Sequence, residues 1–326
     1  MPVLITGATG FIGRHLVQRL LEQRVSVRVV TRDPTRLPAQ WHNRVEVIAG
    51  DLLDEKTQTA ATKGVGLIYS LASEILDSSL MRAINVTAVQ GLLKTATQAG
   101  AKRIVHLSSV GVIGAGGAGG AGVVTEETPC RPQTPYEQSK LEGEQIVLKY
   151  AQSGVVEGVV LRPTIVFGEG KENVGDSLLQ WLQAVLHRRF VFIGRKGVAN
   201  YIYVGDVVEA LSRLAEVSIS RSAVYIAADS VPMSDFVGAM AQALGVATPR
   251  ARLPIWVAST LGVGSQLAGR VLGTPAPLTL SRVRALSSEA VFSGDKLIRE
   301  AGVAFPFGYR KGLHVTVQWY RSVGRL

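Results

Sequence analysis

The chain has 326 residues, of which 47% are hydrophobic, a formal net charge of +10 and one cysteine. That length is ample for a large core and two lobes, and a single Cys130 excludes an internal disulfide and suits a reducing cytoplasm. The basic residues are scattered rather than set among aromatics, so no nucleic-acid module is expected, and five dispersed histidines show no metal-ligand spacing.

In chain order, Val3-Leu4-Ile5 is a short apolar run of the kind buried on both faces of a parallel sheet. Met1 leads straight into it, which leaves no room for a signal peptide. Gly7, Gly10 and Gly13 follow, and then helical spacing begins through Leu16, Val17, Leu20 and Leu21. Strand, glycine turn and helix N-terminus together make a pyrophosphate cradle, because glycine admits close backbone approach and the helix dipole favours negative charge. The cradle predicts cofactor contacts from Gly7, Thr9, Gly10, Phe11, Ile12, Gly13 and Arg14.

A second strand reads through Val25 to Val30. An acid at its end would grip both ribose hydroxyls of NAD. Thr31 stands there instead, followed by Arg32, with Arg36 and Arg14 available; a guanidinium can bind a 2′-phosphate that a carboxylate would repel. NADP(H) is therefore expected over NAD(H), unless Asp33 serves the ribose from a shifted position. Val45 to Ile48 reads as a third strand, with Asp51 and Leu52 placed for an adenine edge. Leu67 to Ala72 reads as a fourth, bringing Leu71 and Ala72 beside the cofactor. A helix from about Leu80 to Gln98 carries Asn85, either supporting the cofactor region or exposed. Arg103 to Leu107 is the fifth strand and ends in Ser108-Ser109. The alternation predicts an α/β, doubly wound parallel sheet of Rossmann type with a smaller C-terminal substrate lobe. Residues 114–122, all glycine and alanine, form a low-complexity loop that either borders the site mouth or is inert.

Tyr136 and Lys140 stand four apart at the start of a helix running to about Gln152, hence on one face. A tyrosine of ordinary pKa ~10 is a poor acid–base at neutral pH. A neighbouring ammonium is expected to lower it. Farther on, Asp176 to Arg189 reads as a helix, and Phe190 to Ile193, Tyr201 to Val204 and Val224 to Ala227 as strands. Asp206-Val-Val-Glu209 has the form of a capping box, which gives Asp206 a structural role. Helices are expected near Ser234–Leu244 and Ile255–Leu272. The stretch from Ile255 to Gly273 is broken by Ser259, Gln266, Arg270 and glycines, so it reads as a buried helix or pocket wall rather than a span, with peripheral membrane contact left open.

These pieces together resemble the extended branch of the short-chain dehydrogenase/reductase family. The matching segments are Thr6-Gly-Ala-Thr-Gly-Phe-Ile-Gly13, Asp51-Leu52, Ser109, Tyr136 with Lys140, Arg162-Pro-Thr-Ile-Val-Phe-Gly168 and Tyr203-Val-Gly-Asp206, in the family's order. The resemblance implies Ser109, Tyr136 and Lys140 as the catalytic set, Tyr136 being the acid–base and Lys140 also holding the nicotinamide ribose. Backbone groups at Pro163 and Val166 would meet the carboxamide. It also implies a homodimer paired through the two long helices. The nucleotide-binding part would span 1–168, with 200–228 returning to the sheet; 169–199 and 229–326 would form the substrate lobe. Nucleotide-sugar members usually carry an asparagine where this chain has Ile165 and an arginine where it has Ala199. Those departures favour a reductase or dehydrogenase acting on an apolar small-molecule carbonyl or secondary alcohol, as in the hydroxysteroid-dehydrogenase and dihydroflavonol-reductase-like members. The alternatives are a nucleotide-sugar epimerase or dehydratase, and a non-catalytic nucleotide-binding subunit or redox sensor.

Overall fold

A computed structural model describes residues 1–114, 121–171, 176–218, 222–272 and 279–326. Its centre is a seven-stranded sheet in the order Ser222–Ala227, Glu157–Pro163, Arg103–Leu107, Leu67–Ser70, Val3–Thr6, Val27–Thr31, Val45–Ala49. Every neighbouring pair is parallel. The inner strands are buried along almost their whole length, as a sheet covered on both faces requires. One apolar layer, around Leu16, Val17, Val29 and Leu211, covers one face. Another, around Leu4, Ile68, Leu92 and Val160, covers the other. The fold is a Rossmann-like α/β sandwich.

A separate apolar core forms from the later chain around Phe167, Leu182, Tyr201 and Phe236. It changes the expected course of residues 200–228. Only Ser222–Ala227 joins the large sheet; Val198–Tyr203 pairs instead with Ile165–Phe167 and Ser230–Pro232. The reason lies in its aromatics: Tyr201 stacks on Phe236 with ring centroids 5.0 Å apart, and Tyr203 lies 5.8 Å from Phe167.

Three other expectations are corrected. The helix anticipated from Leu80 to Gln98 is interrupted: Ser78–Arg82 and Ala88–Gln98 flank a π-helical turn, Ala83–Thr87. Asp206 is no capping residue, since the helix Val204–Glu216 begins after Tyr203 and Asp206 is fully buried within it. Its carboxylate accepts Phe307 N–H at 3.0 Å and Gly308 N–H at 2.9 Å, tying down the last helix, Gly308–Ser322, from a hundred residues away. The helix Ile255–Leu272 is not buried all round: Ala258 packs with Ile193 and Val283, while Trp256 is 71% exposed. No helix among the described residues is long and apolar enough to cross a membrane. Most of the glycine-rich loop, residues 115–120, lies outside the described residues.

Candidate active site

A cleft of about 470 Å3 opens over the C-terminal ends of the strands, where strand order reverses between Val3–Thr6 and Leu67–Ser70. That switch point is where open α/β sheets bind ligands. The Thr6 hydroxyl fastens it by accepting the Leu71 and Ala72 amides at 3.1 and 3.2 Å. The turn between the first strand and helix Phe11–Glu22 needs its glycines. Gly7 has φ +73°, and a Cβ there would lie 2.7 Å from Ala72 N; a Cβ on Gly13 would lie 2.1 Å from Gly7 O. Gly10 caps this helix without a side chain, so its first-turn amides have no side-chain partner. An extended diphosphate fits such a cradle, and the Nε of Arg14, buried with no hydrogen-bond partner, stands on the same helix.

Of the residues expected to hold a cofactor, Gly7, Thr9, Gly10, Arg32, Asp51, Leu52, Leu71 and Ala72 line the cleft. Arg36 joins Arg32 there, and Ser73 extends the wall beyond Ala72. Asp33 also borders the cleft, but its carboxylate is engaged by the Thr35 amide at 3.0 Å and the Thr35 hydroxyl at 2.5 Å, and these bonds hold its pKa below the usual carboxylate value. Asp51 likewise accepts Leu53 N–H at 2.9 Å. Phe11, Ile12, Gly13, Arg14, Asn85, Pro163 and Val166 do not form the cleft wall. Asn85 is 1% exposed and spends its amide on protein: it accepts Glu74 N–H and donates to Glu74 O and Ser139 Oγ, each at 2.9 Å. The wider π-turn carries this residue between loop and helix, so it supports the site from behind.

Tyr136 and Lys140 lie on helix Pro135–Gln152, whose start is strongly specified. Thr134 and Glu137 form a reciprocal capping box and Pro135 occupies the first turn. Tyr136 follows immediately, and its hydroxyl hydrogen-bonds the side chains of Ser73 and Ser109. The chain brings Ser109, and not Ser108, to the phenol: Ser108 Oγ is buried without a partner, while Ser109 Oγ also accepts Gly111 N–H at 3.0 Å. Lys140, 3% exposed, donates from Nζ to Leu107 O at 2.5 Å. Burial brings its pKa down to about 8.

The expected lowering of the Tyr136 pKa by Lys140 is not found. Burial pushes the phenol up, and the hydrogen bonds from Ser73 and Ser109 oppose that rise, with no contribution from the ammonium. The lysine is turned toward the Leu107 carbonyl instead. Beside it, His106 is held neutral by burial and by the Lys140 charge, which push its pKa well below the ordinary value.

Sequence reading also missed supporting groups that only the fold assembles. Glu144, one turn beyond Lys140, is buried against Arg162; Arg162 Nε meets Glu144 Oε2 at 3.0 Å, and Arg162 Nη2 also reaches Cys130 Sγ at 3.3 Å. The pair joins the Tyr136 helix to the strand that leads into Pro163. Lys171 Nζ donates to Val166 O at 2.8 Å and lies 5.8 Å over the Phe11 ring. Among the described residues no group of histidine, cysteine or acidic side chains could hold a metal ion.

A switch-point cleft with a glycine cradle, beside a serine–tyrosine–lysine set, defines a nucleotide-dependent enzyme of the extended short-chain dehydrogenase/reductase type. Residues 3–227 match the NAD dependent epimerase/dehydratase family, and the chain belongs to it. That family binds NAD(P). Among its relatives is a 3 beta-hydroxysteroid dehydrogenase/Delta 5→4-isomerase of Mycobacterium tuberculosis, 29% identical over 98% of this chain and 90% of that protein. A 4-hydroxy-2-methyl-3-oxo-4-farnesyl-3,4-dihydroquinoline-1-oxide ketoreductase of Stigmatella aurantiaca is 25% identical over 96% of this chain and 95% of its own. Among solved structures, the UDP-glucose 4-epimerase of Thermus thermophilus in complex with NAD superposes with TM-score 0.70 at 25% identity, covering 98% of this chain and 99% of that one.

Proposed function

We propose that this enzyme interconverts a carbonyl and a secondary alcohol on a fairly apolar small molecule, using NADP(H). The observation that carries the reading is the Tyr136 phenol, hydrogen-bonded to Ser109 and Ser73, with Lys140 one turn along the same helix. A phenol whose pKa is held up by burial is protonated at neutral pH and is therefore ready to act as an acid. Bound in the cleft, the reduced nicotinamide supplies the hydride. Tyr136 gives its hydroxyl proton to the substrate oxygen as the carbonyl becomes an alcohol. Ser109 holds that oxygen by a hydrogen bond and keeps it in line with the phenol. Lys140 holds the nicotinamide ribose.

The cofactor preference is supported at the end of the second strand. Arg32 and Arg36 line the cleft there, Thr31 replaces an acid, and Asp33 is committed to Thr35. A 2′-phosphate suits two guanidinium groups. The substrate preference is supported by Ile165, 48% exposed next to Pro163 and Val166, and by the two curated relatives, whose names give a steroid and a farnesylated quinoline. Ala199 is 1% exposed, so an arginine at that position, as sugar-nucleotide members use, would have no room. By family resemblance the Tyr136 helix and the helix Ala88–Gln98 pair across a two-fold axis, and light scattering should return a dimer.

A panel of apolar ketones and aldehydes, assayed for NADPH and NADH oxidation, tests the proposal. Turnover of at least one such compound with NADPH faster than with NADH is expected. NAD that survives gel filtration on the protein, with turnover of UDP-sugars and no apolar carbonyl reduced, would replace this reading by epimerisation.

A further inference from the structure

The half-covered helix Ile255–Leu272 has a use outside the cleft. Its inner side is fixed by Ala258 against Ile193 and Val283. The far side of the helix presents Trp256 and Val263, which are 71% and 44% exposed. Clustered exposed apolar side chains on a monomer mark an interaction surface. A tryptophan whose ring is open to solvent is typical of the boundary between lipid and water.

The charge around this face selects the partner. Residues 236–288 contain five arginines, Arg250, Arg252, Arg270, Arg282 and Arg284, and no aspartate or glutamate. Space adds to what the sequence supplies. Arg252–Leu253 pairs in parallel with Phe192–Ile193, so the exposed Arg195 and Lys196 leave their strand at the start of the helix, where Trp256 lies. A Cβ on Gly194 would touch Ile255 Cγ1 at 3.1 Å, which fixes that adjacency. The first turn of the helix has no acid to offset the positive end of its dipole. Exposed apolar side chains beside two cations, in a stretch of sequence without aspartate or glutamate, are complementary to an anionic lipid surface. A protein partner with an acidic patch would complement the cations but leave Trp256 and Val263 needing an apolar match as well.

We propose that the face of helix Ile255–Leu272 carrying Trp256 docks on an anionic bilayer, with Trp256 entering the headgroup region and Arg195 and Lys196 on the phosphates. The helix lies on the membrane; it does not cross it. Docking of this kind would bring the enzyme to the phase in which apolar molecules dissolve.

Co-sedimentation of the full chain with vesicles of phosphatidylcholine alone, and of phosphatidylcholine mixed with phosphatidylglycerol, tests the proposal. The chain should pellet with the mixed vesicles, stay in solution with the neutral ones, and be released by high salt. Trp256→Ser should weaken partition at least about tenfold. Arg195→Ala and Lys196→Ala should weaken it about fivefold each. All three side chains are exposed, so the melting temperature and NADPH affinity should match wild type. Wild-type protein that stays in solution with mixed vesicles would overturn the proposal. So would variants that sediment like wild type, or a dimer that Trp256→Ser converts to monomer while lipid binding is absent.

Discussion

Replacing Glu144 by Gln should lower stability by several kcal/mol, because the change strands a charge. The Arg162 and Glu144 side chains are 5% and 2% exposed, and they share two hydrogen bonds. Arg162 Nη1 has no partner, so Glu144 is the carboxylate that compensates the guanidinium. Removing one member of a buried pair costs about 3–5 kcal/mol, since the remaining ion keeps its desolvation penalty. Unfolding entropy near 60 °C is about 2.1 cal/mol/K per residue, or about 0.7 kcal/mol/K for 326 residues. Glu144→Gln should therefore melt about 4–7 °C below wild type in scanning calorimetry. The paired change Glu144→Met with Arg162→Met removes both members of the ion pair and should recover most of that loss. A Glu144→Gln protein melting within about 1 °C of wild type would refute the reasoning. So would a double variant whose loss equals the sum of the single losses.

Arg32→Ala should weaken NADPH roughly tenfold to a hundredfold in isothermal titration, the worth of a charge-assisted hydrogen bond, and leave NADH nearly unchanged; equal losses would remove the 2′-phosphate assignment. The Lys140 pKa of about 8 predicts carbonyl reduction that is level below that pH and declines above it as the ammonium deprotonates, whereas alcohol oxidation should climb with pH as Tyr136 ionises. A pH-independent rate of reduction across that range, with hydride transfer limiting, would contradict the assignment. Asp206 titrates near 6 when folded, above its ordinary value, so its ionisation opposes folding. Its contribution is most favourable below about pH 4 and is lost as pH rises through 6. Asp206→Asn cannot titrate, so the wild-type-minus-variant difference in melting temperature should shrink across that window; a constant difference would refute the assignment.

What could be read before folding was local. The glycine turn declared itself because strand, Gly7, Gly10, Gly13 and helix are contiguous, and the Tyr136–Lys140 face follows from helical spacing alone. Groups that meet through the fold left no such trace. Ser73 reaches Tyr136 from the loop after the fourth strand, and Asp206 finds its partners at Phe307 and Gly308. The same limit explains the Tyr136 pKa: four-residue spacing placed Lys140 on the right face, but the Leu107 carbonyl determines where its ammonium points. The π-turn at Ala83–Thr87 was hidden because a single widened turn barely alters apolar periodicity. Burial of helix Ile255–Leu272 was overread from its composition, since an apolar helix faces a core only if one stands on each side of it.

The central claim is that Tyr136 delivers the proton in carbonyl reduction. Its most direct test is the single-turnover rate of Tyr136→Phe with NADPH and a ketone substrate, measured under conditions where hydride transfer limits both proteins. The variant loses only a hydroxyl, so NADPH affinity should hold while the rate falls by about 10²–10⁴, the usual worth of a positioned general acid. A Tyr136→Phe enzyme that reduces the ketone at the wild-type rate would contradict the account.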